Sequence, residues 1–439
     1  MSNSPVTRQR IVFRQLSLAT AFVFAEAALS SLTDVKLGPF QLAEIMGMVM
    51  LPFAFWDISR WREQRAGRLV GWHPWLFALS VAVMVVGAVA AYHREAFVIP
   101  VDATSFAKQP GWISFSRLVQ FLLAFTTAYA MVKVCSRWPG VLRQTLVIYA
   151  AVVALSSAYG LLSFAAFRFA GIDLGGAYEN PEGYRLKSFF VEGGPFGMYA
   201  LSGLLVQFLL LRRNFASRRF LAIAAGLTLF AFLLAQSKSA TLAGVVVFVL
   251  SAAATSGSVL KKHWKLVAVF AVFVAASAAM TGSADVFSRI LERRDELTAA
   301  PELFGDDPNI LMGRIAGAVI VPEMIARHPL IGVGIGNYSL LRDSGLYNPV
   351  LPAVDAWDLH GLGAYGLTAE IGLLGLLSLM AFLLTPVLAA RRLANSLDLT
   401  ALAFFPFVAL VFGVQPTFLY PWAIYALAVA SLQPANQSA

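Results

Sequence analysis

The sequence contains little charge and almost no cysteine. Asp, Glu, Lys and Arg make up only 13% of its 439 residues, about half the fraction found in an average soluble protein. A single cysteine, Cys135, excludes an internal disulfide. No His, Cys and Asp residues are spaced as metal ligands, and the G-x-S-x-G motif of serine hydrolases is absent. These absences argue against a soluble protein, a disulfide-linked fold and a metalloenzyme.

Apolar residues are abundant instead. They form 59% of the chain, and the mean hydropathy is +0.72. Apolar runs of near-bilayer length recur along the sequence, and each predicts a transmembrane helix. The fold class expected is therefore an all-α polytopic membrane protein with about 12 transmembrane helices. The predicted spans are 14–33, 41–58, 70–91, 112–133, 145–167, 194–211, 220–236, 240–256, 265–281, 363–389, 399–415 and 420–434.

Arginine and lysine concentrate in alternate loops. Because basic loops stay in the cytoplasm, both termini are predicted to be cytoplasmic. The net charge of +9 comes mostly from these loops and indicates no nucleic-acid partner. The opposite face carries one long loop with a short apolar helix that we expect Pro322 to break. The chain divides into helices at 1–281, the long outer loop at 282–362, and further helices at 363–439.

Two outer segments combine cations with helix starts. In "GYRLKSFFVEGGPFGMY", Arg185 and Lys187 precede a span and Glu192 lies almost at its start. Both cations suit either an anion site or an anchor at the membrane interface. In "AQSKSATLAG", Lys238 lies between two serines at the tip of a tight hairpin. Such a helix N-terminus suits an anion, although a merely polar turn is an equal alternative.

A third segment, "GRIAGAVIVPEMIARHPLIGVGIGNYSLL", begins at Arg314 within the long loop. Its three glycines at 332, 334 and 336 lack the strand–helix unit of a dinucleotide site. We therefore expect a glycine-rich turn that folds back on the membrane helices. His328 precedes a proline in this segment, and we expect it to be structural.

The fourth segment, "DLHGLGAYGLTAEIG", opens the tenth predicted span. His360 lies at the mouth of this span, and Glu370 follows ten residues later inside it. A titratable histidine at a membrane mouth suits a general base. Alternatively, the histidine is structural, and Glu370 pairs with a cation that orients the helix bundle.

Several cations and one base on the outer face suit a reaction in which a diphosphate leaves. The cations neutralise the leaving group, and the base deprotonates an attacking hydroxyl. Nucleotide energy is absent outside the cytoplasm, so the substrate arrives already activated. A lipid-linked sugar diphosphate meets that requirement. No metal and no cofactor are expected, since no ligand cluster is present.

These segments also resemble a known family. About twelve spans, a long late outer loop, "HPLIGVGIGNY" within it and a histidine followed by "AEIGLLG" are similar to the O-antigen ligase and polymerase superfamily of bacterial envelope glycosyltransferases. The resemblance covers about 180–390. Lys238 stands where the family usually has arginine, and Gly361 follows the histidine where Asn or Ser is common. The resemblance implies a GT-C-type fold and metal-independent, inverting transfer from an undecaprenyl diphosphate-linked glycan donor.

Within that resemblance, His360 is the expected catalytic base, and Arg185, Lys238 and Arg314 are the expected diphosphate-binding residues. Lys187, Glu192 and Glu370 are expected to support them. We favour an O-antigen ligase of the inner membrane, with its active site facing the periplasm and a lipid A-core acceptor.

Three alternatives stay open. A polymerase would use a lipid-linked glycan acceptor, and a protein O-oligosaccharyltransferase would use Ser or Thr of a protein. A lipid-linked sugar transporter also has twelve spans, but no internal repeat of the kind seen in transporters is evident in the sequence.

Overall fold

The structure is a computed structural model of the chain. It describes residues 17–33, 35–37, 40–60, 69–95, 97–98, 109–180, 183–255, 314–348, 363–393 and 396–433. This part of the protein is mostly helical, and its elements are numbered here in chain order. The first half contains α1 (Leu18–Leu29), β1 (Lys36–Leu37), β2 (Phe40–Gln41), α2 (Leu42–Arg60), α3 (Pro74–Arg94), α4 (Trp112–Arg137), α5 (Pro139–Ala170), β3 (Ala177–Asn180) and β4 (Gly183–Leu186). The second half contains α6 (Gly193–Arg213), α7 (Arg218–Ala235), α8 (Lys238–Ala254), α9 (Arg314–Arg327), α10 (Tyr338–Leu341), α11 (Gly363–Leu393), α12 (Leu397–Val411) and α13 (Leu419–Ser431).

Seven of the described helices are long and apolar enough to cross a membrane. They are α2, α3, α4, α5, α6, α7 and α11. Four shorter apolar helices, α1, α8, α12 and α13, coincide with further predicted spans. The polytopic helical architecture therefore holds, while the total of about twelve stays a prediction. The predicted span at 265–281 and most of the loop at 282–362 lie outside the described residues.

The last two helices, α12 and α13, lie at the centre of the bundle. Every residue of α13 is buried, and α12 is buried along most of its length. Helix α13 packs on α4 and α12, and α12 packs in turn on α8 and α11. An aromatic cluster joins these helices, with Trp422 of α13 near Phe121 at 5.5 Å and near Phe382 at 6.3 Å between ring centroids. Helices apolar on every side belong in such a position.

Contacts at the helix ends show which ends lie on the same face of the bundle. At one end, the Nε atom of Arg213 lies 3.9 Å from a carboxylate oxygen of Asp398. At the same end, the Nε atom of Arg143 donates to the backbone oxygen of Phe215 at 2.8 Å. These basic ends belong to the loops predicted to be cytoplasmic. The two β-hairpins and the α7–α8 turn lie at the other ends of their neighbouring helices.

Two local features differ from the sequence prediction. The segment after α5 contains an antiparallel hairpin in which Tyr178 pairs with Arg185, and the sequence patterns predicted no strands there. Helix α9 also runs unbroken through Pro322, so the expected break is wrong. One face of α9 is buried around Ile320 and Met324, and this burial offsets the hydrogen bond that proline cannot donate.

Candidate functional site

Arg185 is held against the turn that joins α7 to α8. Its Nη2 atom donates to the backbone oxygens of Gln236 at 2.9 Å and Ala235 at 3.3 Å, and its Nε atom donates to Ala235 at 3.3 Å. These carbonyls end α7, where helix oxygens lack intrahelical partners and carry partial negative charge. The third guanidinium nitrogen, Nη1, has no hydrogen-bond partner within the described part of the chain.

Lys238 follows directly from this turn as the first residue of α8. Ser237 caps that helix, because its hydroxyl accepts the amide of Ala240 at 3.2 Å. Gln236 adopts a left-handed conformation with φ of 49°, which turns the chain sharply between the two helices. Lys238 is half-buried. The structure therefore places Arg185 and Lys238 at one turn, although the two residues are 53 positions apart in the sequence.

The N-terminus of α6 packs on the same turn. The Ser237 hydroxyl donates to the backbone oxygen of Gly194 at 3.2 Å. Side chains would not fit here: a Cβ atom on Gly193 would lie 2.7 Å from the Ala235 oxygen, and one on Gly197 would lie 2.5 Å from the Ser237 Cβ. Glycine thus lets the two helix N-termini approach each other. Both helix starts carry partial positive charge, which adds to that of the two cations.

The supporting residues Lys187 and Glu192 flank this arrangement. Lys187 is half-buried, and its amide donates to the Gly176 oxygen at 3.0 Å. Glu192 precedes α6 as an exposed residue, and its side chain makes no capping hydrogen bond. Glu192 therefore leaves the first amides of α6 uncapped.

For two predicted site residues, the structure describes no side chain. His360 lies outside the described residues, so its role as a base stays a prediction. Arg314 is the first residue of α9, which packs on α11, but its side chain also lies outside what the structure describes. The structure brings together two of the three predicted diphosphate-binding residues and leaves the third untested.

Glu370 lies at a break in α11 that the sequence did not reveal. Gly372 has φ of 67° and ψ of 174°, which interrupts the helix. The chain after His328 fills this break. The amides of Val333 and Gly334 donate to the oxygens of Ala369 and Glu370, both at 2.8 Å. On the other side of the break, the amides of Leu373 and Leu374 donate to Pro329 at 2.8 Å and Leu330 at 3.2 Å. Backbone groups released by the break are thus satisfied, as an apolar environment requires.

The carboxylate of Glu370 faces the same loop. Its Oε1 atom accepts the amide of Tyr338 at 3.4 Å. Arg342 lies close by, is 1% exposed and donates from Nε to Asp343 at 3.1 Å. Burial raises the pKa of Tyr338 to about 12, although Arg342 opposes the shift. Glu370 therefore contacts the loop, and its expected pairing with a cation stays a prediction.

The glycine-rich loop lies directly on the helices, as its composition predicts. At Gly332, Gly334 and Gly336, φ lies between 68° and 88°, a region that favours glycine. A Cβ atom on Gly334 would lie 2.7 Å from the Cα of Ala88, and one on Gly336 would lie 3.1 Å from Arg117. The loop is a packed wedge between α3, α4 and α11.

A buried polar cluster fixes the ends of this wedge. The sequence patterns did not predict this cluster. His328 Nε2 lies 3.0 Å from a carboxylate oxygen of Glu95 and 2.9 Å from the Tyr347 hydroxyl. The same hydroxyl donates to the other Glu95 oxygen at 2.8 Å. Burial and the Glu95 carboxylate raise the pKa of Tyr347 above its ordinary value. His328 therefore contacts neighbouring side chains of the fold, and the structural role expected for it stays a prediction.

The described residues contain no group of three or more His, Cys, Asp or Glu side chains placed to hold a metal ion. Comparison with other proteins adds no assignment. No protein-family model matches the chain, and no curated protein matches it significantly.

Proposed function

We propose that the protein is an O-antigen ligase. It would transfer a glycan from undecaprenyl diphosphate to a sugar hydroxyl of the lipid A core, at the periplasmic face of the inner membrane. The observation that carries this proposal is the cationic turn, defined as Arg185, Lys238 and the adjoining starts of α6 and α8. The family resemblance of the late motifs gives the reaction class.

The cationic turn suits a leaving diphosphate. Arg185 is oriented by two nitrogens on the end of α7, which leaves Nη1 for a phosphate oxygen. Fixing the guanidinium beforehand reduces the entropy lost when the ligand binds. Charge-assisted contacts of this kind stabilise the negative charge that develops as the glycosidic bond breaks. The rest of the proposed chemistry requires only a base, and His360 supplies it by taking the proton of the acceptor hydroxyl.

The test uses full-length protein reconstituted with a lipid-linked glycan donor. One reaction receives a lipid A-core acceptor, and another receives only additional donor. Growth of the core product supports a ligase, and growth of the lipid-linked glycan identifies a polymerase. Absence of glycan transfer to either acceptor, in protein shown to be folded by thermal unfolding, overturns the proposal.

Variants then test the site. Arg185→Ala should weaken donor binding roughly ten- to a hundred-fold, since charge-assisted hydrogen bonds contribute about 1.5–3 kcal/mol. His360→Ala should leave donor binding intact while transfer falls by about 10²–10⁴-fold. Arg327→Ala is the matched control, because this arginine is exposed and paired with Glu323 at 3.1 Å. Equal losses in Arg327→Ala and Arg185→Ala would mean that binding depends on overall charge alone.

A further inference from the structure

The carboxylate of Glu26 is buried among the helices. Glu26 lies on α1 and is 1% exposed. Neither carboxylate oxygen has a hydrogen-bond partner in the part of the chain that the structure describes. A buried carboxylate that lacks compensation costs several kcal/mol. We therefore expect a compensating group beside it.

A second unpartnered oxygen faces the same space. The hydroxyl of Thr127 on α4 is buried, and within the described residues it has no hydrogen-bond partner. Gly47 of α2 marks the place: a Cβ atom built there would lie 3.1 Å from Oε1 of Glu26 and 3.6 Å from Oγ1 of Thr127. Both oxygens therefore point at the bare Cα of Gly47 from different helices.

Glu44 supplies a second carboxylate next to this space. It lies three residues before Gly47 on α2 and therefore on the same helix face. The two carboxylates are close enough to repel each other. One oxygen of Glu44 accepts the amide of Gln41 at 2.7 Å and the Gln120 side-chain amide at 3.3 Å.

The described part of this network includes one positive side chain, that of Arg117. The Nη1 atom of Arg117 donates to the side-chain oxygen of Gln120 at 3.4 Å, and Arg117 is half-buried. Among these described residues, two ionised carboxylates and one guanidinium would leave a single negative charge. One monovalent cation would balance that charge, and carboxylate and hydroxyl oxygens are the kind of ligand that hard cations take.

We propose that Glu26, Thr127 and Glu44 form a binding site for a monovalent cation, and that the cation is Na⁺. The site lies among α1, α2 and α4, apart from the cationic turn, and does not depend on the proposed transfer reaction. Glu44 is in the first turn of α2, the end predicted to face outward. The cation would enter from that face and hold the first two helices against α4.

Two measurements on purified full-length protein test the site: binding of radiolabelled sodium, and thermal unfolding in sodium chloride or choline chloride at equal ionic strength. A cation that binds only the folded protein raises the unfolding temperature as its concentration rises. We expect this rise in the wild type. Glu26→Gln and Thr127→Val should each weaken sodium binding at least about tenfold and reduce the thermal response.

The Gly47→Ala variant distinguishes a loss of the cation site from a general loss of stability. Alanine in a helix interior is favoured over glycine by up to about 1 kcal/mol, but the added methyl group would lie 3.1 Å from the Glu26 oxygen. We expect this variant to stay folded in choline and to lose its response to sodium. Glu323→Gln, an exposed carboxylate paired with Arg327, is the control and should keep the full response.

The outcomes are distinct. A sodium response that disappears in Glu26→Gln and Gly47→Ala but not in Glu323→Gln supports the cation site. If Glu26→Gln does not fold, Thr127→Val and Gly47→Ala decide the matter in the same assay. Wild-type protein that gains no stability from sodium overturns the proposal. Stabilisation by acid in the absence of any sodium response also overturns it, because a proton would then occupy the site.

Discussion

The break in α11 gives the most direct test of the fold. At Gly372, φ is 67° and ψ is 174°, a combination that costs other residues about 1–3 kcal/mol. A Cβ atom there would lie 2.2 Å from the backbone oxygen of Leu330, so Gly372→Ala must displace the wedge. Four backbone hydrogen bonds cross the break, and each contributes about 0.5–1.5 kcal/mol. We therefore expect a loss of at least about 3 kcal/mol in the free energy of unfolding.

Thermal unfolding of the purified variant measures this loss, and for a chain of 439 residues the midpoint should fall by roughly 3 °C or more. Gly226→Ala is the matched control. It is also a helical glycine, but a Cβ atom built there has no neighbour within 4 Å, so its midpoint should equal or exceed that of the wild type. If Gly372→Ala and Gly226→Ala have the same unfolding midpoint, α11 is continuous in the protein and the wedge does not depend on the break.

Three further predictions concern topology, metals and the outer cluster. Leu346→Cys should react with an impermeant thiol reagent from the periplasmic side of the membrane, since Leu346 is 46% exposed and the native Cys135 is buried; reaction only from the cytoplasmic side would invert the topology. Transfer should continue in the presence of a chelator, because the reaction is assigned to cations of the chain, and activity restored by magnesium would contradict this. Tyr347→Phe should lower the free energy of unfolding by about 1–3 kcal/mol, since Glu95 and His328 lose a buried partner. Because the pKa of Tyr347 is raised, its stabilising contribution should be complete below the ordinary tyrosine pKa of about 10 and disappear only at higher pH; unfolding curves of both proteins against pH measure this difference.

The cationic turn shows what separates sequence from structure at the candidate site. Arg185 and Lys238 are recognisable in the sequence because charge is rare in this chain. Their shared location is not, since it depends on the β3–β4 hairpin that places the guanidinium on the end of α7. Strands pair through their backbones, and the residues between α5 and α6 lack the strong alternation of apolar and polar side chains that would predict strands.

The described spans follow directly from the order of amino acids. Long apolar runs require helices in a membrane, because every backbone group needs an internal partner there. Basic residues at alternate ends divide the loops into two sets, and local capping by Ser237 sets the start of α8. These properties depend on neighbours in sequence and on the solvent, so the sequence alone determines them.

Only the tertiary structure decided the wedge and the buried acids. Gly372 lies in "AEIGLLG", where composition indicates an uninterrupted helix, and its left-handed conformation exists because the amides and carbonyls near Leu330 replace the missing helical bonds. Glu26 and Thr127 likewise meet at Gly47 only after α1, α2 and α4 have packed. Contacts between distant segments depend on how helices fit together, which the periodicity of one helix does not encode.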